Sequence, residues 1–158
     1  MKFLKKILLA LLIVFIAIQF IQPARNSGAQ LSPANITKQF NVSPNVESVL
    51  KIACYDCHSN NTRYPWYANI QPMGWLLADH IKEGKAELNF DEFGSYSKRR
   101  QLSKLKSIAG SVKDGSMPIE SYTWMHTDAK LSADEKALII DWATGTRDSI
   151  DAKNGMHE

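Results

Sequence analysis

Five consecutive residues, Cys54-Tyr55-Asp56-Cys57-His58, hold the groups of this chain best suited to chemistry. The two cysteines are the only ones in 158 residues, so a disulfide framework is excluded. Cys-x-x-Cys-His is the attachment pattern of a c-type haem. The spacing has a physical reason. Two cysteines three positions apart lie on one side of a helical turn, so both thiols reach the vinyl groups of one porphyrin. The next residue projects its imidazole under the ring, where a nitrogen ligates iron. Other readings use the same thiols. A thioredoxin-like redox pair needs a βαβ surround, and no segment here alternates with period two. A zinc site would need Cys54, Cys57 and two histidines, and His58 next to Cys57 is awkward for one tetrahedron. A pair of plainly buried thiols completes the alternatives.

A six-coordinate iron needs a ligand on its other face. Met73, Met117, Met125, His80, His126 and His157 are available. A lone methionine is ordinarily core filler. Met117 stands in Asp114-Gly115-Ser116-Met117-Pro118, 59 residues beyond His58, which leaves room for the chain to travel round a haem edge. A loop thioether can swing over the ring, and Pro118 stiffens the loop. Met117 is the expected sixth ligand. His80 is the next candidate and His126 the third.

Helices joined by long loops must position these groups. Ser43-Pro44 is an N-cap with proline at the first helical position. Val46, Val49, Leu50, Ala53 and Cys57 follow on one face, so this helix is expected to run straight into the motif. A second helix is expected over Trp75 to Glu83, stopped by Gly84, with Leu76, Leu77 and His80 on a shared face. A third covers about Lys98 to Asp114 with Gly115 as its stop. A fourth starts at Ser132, where Glu135 has capping-box spacing, and ends at Gly145. Trp66, Tyr67 and Trp75 are candidates to wall a haem pocket. Lys98, Arg99, Arg100, Lys104 and Lys106 are ordinarily a solvated helix face, with docking to an acidic redox partner or lipid as the alternative.

Charge and hydropathy set the compartment. Of 19 Lys and Arg, Lys2, Lys5, Lys6 and Arg25 fall in the first 26 residues, which hold no acid. The remaining 15 meet 16 acidic residues, so the body has a net charge of −1. That balance argues against a nucleic-acid binder. Basic Met1 to Lys6 and apolar Ile7 to Ile21 form a signal peptide or a signal-anchor transmembrane helix over 1–22. No Ala-x-Ala follows, which favours an uncleaved anchor. Export places the body in the periplasm, tethered to the inner membrane. Residues 23–42 read as a polar linker, 43–150 as the haem c-binding domain, and 151–158 as a frayed tail.

The Gly-x-Met-Pro loop followed by a capped helix from Leu131-Ser132 is similar to small class I cytochromes c. Residues 40–145 more closely resemble the small bacterial haem-binding-domain family, whose members carry one Cys-x-x-Cys-His behind a hydrophobic segment. The matching stretches are Cys54 to Asn60, Tyr64-Pro65-Trp66-Tyr67, Trp75-Leu76, Ala78-Asp79-His80, Glu83-Gly84, Leu88-Asn89-Phe90, Met117-Pro118, Tyr122-Thr123, His126 and Leu131-Ser132. The resemblance implies haem binding through Cys54, Cys57 and His58. The expectation is an all-α, cytochrome c-like domain around one covalent haem c, behind an N-terminal hydrophobic helix. Its expected role is electron transfer with a redox partner protein. A haem-based sensor or accessory module, or a peroxide-handling enzyme using His80 or His126, is the alternative.

Overall fold

A computed structural model describes residues 2–28 and 32–155. It is all-helical, with no strand among the described residues. The elements are α1 (Lys2–Ile18), α2 (Ile36–Gln39), α3 (Pro44–Ala53), α4 (Tyr55–His58), α5 (Met73–Glu87), α6 (Lys98–Asp114), α7 (Glu120–Met125) and α8 (Ala133–Gly155). Short 3-10 turns stand at Trp66–Asn69, Phe90–Ser95 and Thr127–Ala129. The peptide bonds before Pro72 and Pro118 are cis.

Local chemistry explains several boundaries. Ser43 Oγ accepts from the Val46 N–H at 3.4 Å, and Pro44 occupies the first turn of α3. Gly115, at φ 77°, closes α6 in the left-handed conformation that glycine adopts without strain. At α8, the Ser132 N–H donates to Glu135 Oε2 at 2.8 Å and the Glu135 N–H donates to Ser132 Oγ at 3.3 Å.

The main core joins α2, α3, α6, α8 and the Phe90–Ser95 turn. Its centre holds Ile36, Leu50, Phe90, Phe93, Leu105 and Ile139, all sealed from solvent. Each such side chain contributes roughly 1.5–3 kcal/mol of burial free energy. A smaller cluster of Tyr67, Ala68, Leu77 and Ile81 binds the Trp66–Asn69 turn to α5.

Four expectations are corrected. The first helix breaks at Cys54 (φ −126°, ψ −41°) and restarts as α4. Neither Gly84 nor Gly145 stops its helix, for α5 reaches Glu87 and α8 reaches Gly155, with Ile150 buried. Residues 156–158 of the expected tail lie outside the described residues. The expected linker is partly built in: Asn35 and Ile36 are buried, and 19–28 is hydrogen-bonded to the body. The N-terminal apolar segment is helical only to Ile18. Among the described residues no helix is long and apolar enough to cross a membrane.

Candidate functional site

The break at Cys54 aims the motif. Cys54 closes α3 by donating its N–H to the Leu50 carbonyl at 2.9 Å, and its own carbonyl accepts from the His58 N–H at 3.0 Å. Cys54, Cys57 and His58 then all line one cavity of about 500 Å³. That volume is in the range of small-molecule and cofactor sites. Its walls are mostly apolar, with Leu88, Phe90, Ile108, Val112, Ile119 and Leu131 among them.

The His58 ring is fixed from behind. Its Nδ1 lies 2.8 Å from the Gly84 carbonyl oxygen and 3.0 Å from that of Leu88. Both partners only accept, so Nδ1 carries the hydrogen and Nε2 keeps a free lone pair. This is the orientation device used behind metal-bound imidazoles. It requires α5 to approach the motif closely. A Cβ on Gly84 would sit 2.8 Å from the Cys57 carbonyl oxygen and 3.1 Å from its Cβ. Gly84 is therefore a contact point between helices, which explains why it does not end α5.

Both cysteines are half-buried and line the cavity. Burial, with the neighbouring Cys57 second, pushes the Cys54 thiol up from 9.0 to about 12. Burial, with Asp56 second, pushes Cys57 to about 11. Both are held neutral, which is contrary to the depressed values of a reactive redox pair. Among the described residues no group of three or more His, Cys, Asp or Glu is arranged to hold a bare metal ion.

α6, the Met117 loop and α7 also supply lining residues. Met117 lines the cavity, is 40 % exposed, and donates its backbone N–H to the Ser111 carbonyl at 3.1 Å. His80 and Glu83 of α5 also line it. His126 does not. It stacks on Tyr122 at 4.1 Å between ring centroids, with Tyr67 on another side. Met73 and Met125 are exposed and off the cavity, and His157 lies outside the described residues. The three candidate wall aromatics also stand elsewhere. Trp66 is exposed, Tyr67 is buried in the smaller cluster, and Trp75 donates its indole N–H to the Ile21 carbonyl at 2.8 Å. In the basic stretch of α6, Lys104 reaches the cavity and pairs with Glu87 at 3.0 Å, while Arg100 lies 4.0 Å from the Tyr96 ring centroid.

Two supports had no clear signal in the sequence. Asp56, inside the motif, is buried. Its Oδ1 accepts the Arg63 N–H at 2.9 Å and its Oδ2 accepts the Tyr122 hydroxyl at 2.7 Å. Burial and that bond to Asp56 raise the Tyr122 pKa, keeping the phenol a donor. The other support is the loop after His58. The Asn60 N–H donates to Asp91 Oδ2 at 2.7 Å, the Gly28 N–H to the Asn60 carbonyl at 2.6 Å, and Asn26 Nδ2 to the Ser59 carbonyl at 3.0 Å. The motif is thus clamped from three distant parts of the chain.

The donor set fits haem. Two neutral thiols and an imidazole with a free Nε2 converge on one apolar cavity, with a thioether and a second imidazole also in its lining. No curated protein and no solved structure matches the chain. A sequence profile of the haem-binding domain family matches residues 13–145, most of the chain and the whole cavity. This protein therefore belongs to the haem-binding domain family.

Proposed function

We propose that this protein is a monohaem electron carrier, with haem c bonded to Cys54 and Cys57, His58 on one side of the iron and Met117 on the other. One observation carries the reading: two thiols, the oriented imidazole and a loop thioether line the same cavity. When bound, the haem supplies one-electron chemistry through its ferric and ferrous states. The chain's own residues position and protect. Cys54 and Cys57 would hold the group, each thiol adding its S–H across one vinyl group with no atom lost. His58 keeps its Nδ1–H on the Gly84 and Leu88 carbonyls, which stops ring rotation and strengthens Nε2 as a donor. The soft Met117 thioether favours ferrous iron and raises the potential relative to a second imidazole. The mostly apolar walls would limit the access of water to a bound haem. A closed coordination shell suits electron transfer better than catalysis.

The carrier is read as an exported, periplasmic protein held at the inner membrane through α1 and serving a redox partner protein. Support comes from the basic start of α1, its apolar remainder, and haem attachment outside the cytoplasm. His80 on the same cavity, beside Glu83, favours a second reading with two histidine ligands. The test uses protein matured in a cytochrome c-competent host. The ferric form should show the weak far-red charge-transfer band of sulfur ligation. Met117→Ala should abolish the band and let ferrous iron bind carbon monoxide, while His80→Ala should leave both unchanged. The reverse pattern would establish the two-histidine reading. A high-spin wild-type iron that reacts with peroxide would contradict the carrier.

A further inference from the structure

The root of α1 is tied to a part of the body that carries exposed apolar side chains, with cations nearby. No residue of α1 is buried. Phe20 and Ile21, just beyond it, are 84 % and 62 % exposed. This stretch is held in place. Gln19 Oε1 accepts the Gln71 N–H at 2.9 Å, Gln22 Oε1 accepts from Gln71 Nε2 at 3.1 Å, and the Ile21 carbonyl accepts the Trp75 indole. Gln71 is itself fully buried. The residues flanking these anchors on the body side are Trp66, 72 % exposed, with Ile70 and Met73, both exposed.

Cations follow directly. Arg25, Lys82 and Lys85 surround a shallow cavity of about 270 Å³ together with Asn26 and Tyr64. The Arg25 guanidinium lies 4.2 Å from the Tyr64 ring centroid, and Lys85 Nζ donates to Asn26 Oδ1 at 2.7 Å. Length completes the argument. The 17 residues of α1 rise about 25 Å, against a hydrocarbon core of about 30 Å. A short apolar helix is accommodated by bilayer thinning or snorkelling, and apolar surface continuing past its end lessens the mismatch. Tryptophan favours the membrane interface, and cations favour the anionic headgroups outside it.

We propose that the body is seated in the lipid interface by Phe20, Ile21, Trp66, Ile70 and Met73, with Arg25, Lys82 and Lys85 on the phosphates of anionic lipids. The proposal rests on membrane association through α1, proposed above. It adds that lipid holds the body itself, so the haem cavity keeps a fixed attitude to the membrane.

The test uses full-length ferrous holoprotein labelled with 5-fluorotryptophan, in nanodiscs of phosphatidylethanolamine and phosphatidylglycerol. Fluorine signals are assigned with Trp66→Phe and Trp124→Phe. A doxyl-labelled lipid should broaden the Trp66 signal several-fold more than an aqueous gadolinium chelate does. Exposed Trp124, on α7 and not among the proposed lipid contacts, should show the reverse. Phosphatidylcholine nanodiscs, or Arg25→Gln with Lys82→Gln and Lys85→Gln, should weaken the lipid effect on Trp66. An unchanged effect would overturn the phosphate contacts. Protein that stays with the nanodiscs while the aqueous chelate broadens Trp66 overturns the seating and leaves membrane association standing. A Trp66 signal shielded from both reagents, as by a second copy of the chain, also overturns it. Protein that does not stay with the nanodiscs overturns both readings.

Discussion

His58 and Met117 line the same cavity, and their supports differ. The His58 wall is built from short range and long range together: two carbonyls on its Nδ1, a helix packed against Cys57 through Gly84, and Asp56 tied to Tyr122. The Met117 wall is a loop held by local bonds only, from the Met117 N–H and Ser116 Oγ to the Ser111 carbonyl and from the Ser116 N–H to Asp114 Oδ1, with the Met117 side chain 40 % exposed. In the proposed holoprotein the preformed His58 side would set the position of the iron, and the more lightly held Met117 side would adjust to it. The comparison predicts that damage to the His58 wall propagates into folding, whereas damage to the Met117 wall is read mainly at the iron.

The largest effect should come from Cys54→Ala combined with Cys57→Ala. Without bonded haem the cavity of about 500 Å³ loses its filling, and cavities destabilise in proportion to their volume. Cooperative thermal unfolding should be largely lost, and an unchanged sharp transition would contradict the account. Next comes an alkaline effect peculiar to the haem-free chain. Both folded-state thiol pKa values are raised above the ordinary 9.0, so the fold holds these protons more tightly than the unfolded chain does. That contribution is complete below pH 9 and is lost as pH rises towards about 12. Residual helicity of the wild-type haem-free chain should fall over this range by circular dichroism. The double alanine variant, which keeps Tyr55 and Tyr122, should lack that step, and so should the holoprotein, whose sulfurs are thioethers.

A pair of glycine substitutions sharpens the contrast further. Gly84→Ala gains about 1 kcal/mol of helix propensity but meets Cys57, and overpacking of that kind costs about 1–3 kcal/mol. The clash is against backbone, so the holoprotein should melt lower. Gly145→Ala places a Cβ with nothing within 4 Å and should stabilise by roughly 0.5–1 kcal/mol. Equal shifts in the two variants would remove Gly84 from the His58 wall.

What was legible in the sequence follows from the range of the interactions. Ser43-Pro44, Gly115 and Ser132 with Glu135 act within one turn, so α3, α6 and the start of α8 were readable. The Cys-x-x-Cys-His motif is equally local. Gly84 and Gly145 read as stops because a glycine alone does not reveal whether it ends a helix. The partner that gives Gly84 its purpose, Cys57, lies 27 positions away. The linker over 23–42 read as free because side-chain bonds such as Asn26 to Ser59 or Gln22 to Gln71 have no periodicity. Trp66 and Trp75 were candidate cavity walls on chemistry alone, yet Trp66 is exposed and Trp75 is bonded to the segment after α1. His126 was a candidate ligand for the same reason, and Tyr122 and Tyr67 hold it off the cavity.

The most direct measurement is the intact mass of the protein matured in a cytochrome c-competent host, before and after acid–acetone extraction. One haem added to the chain and retained through extraction is the predicted result, with both losing it in Cys54→Ala, Cys57→Ala protein. Haem that extracts freely from the wild type, leaving the bare polypeptide mass, would contradict covalent attachment and the reading of the cavity built on it.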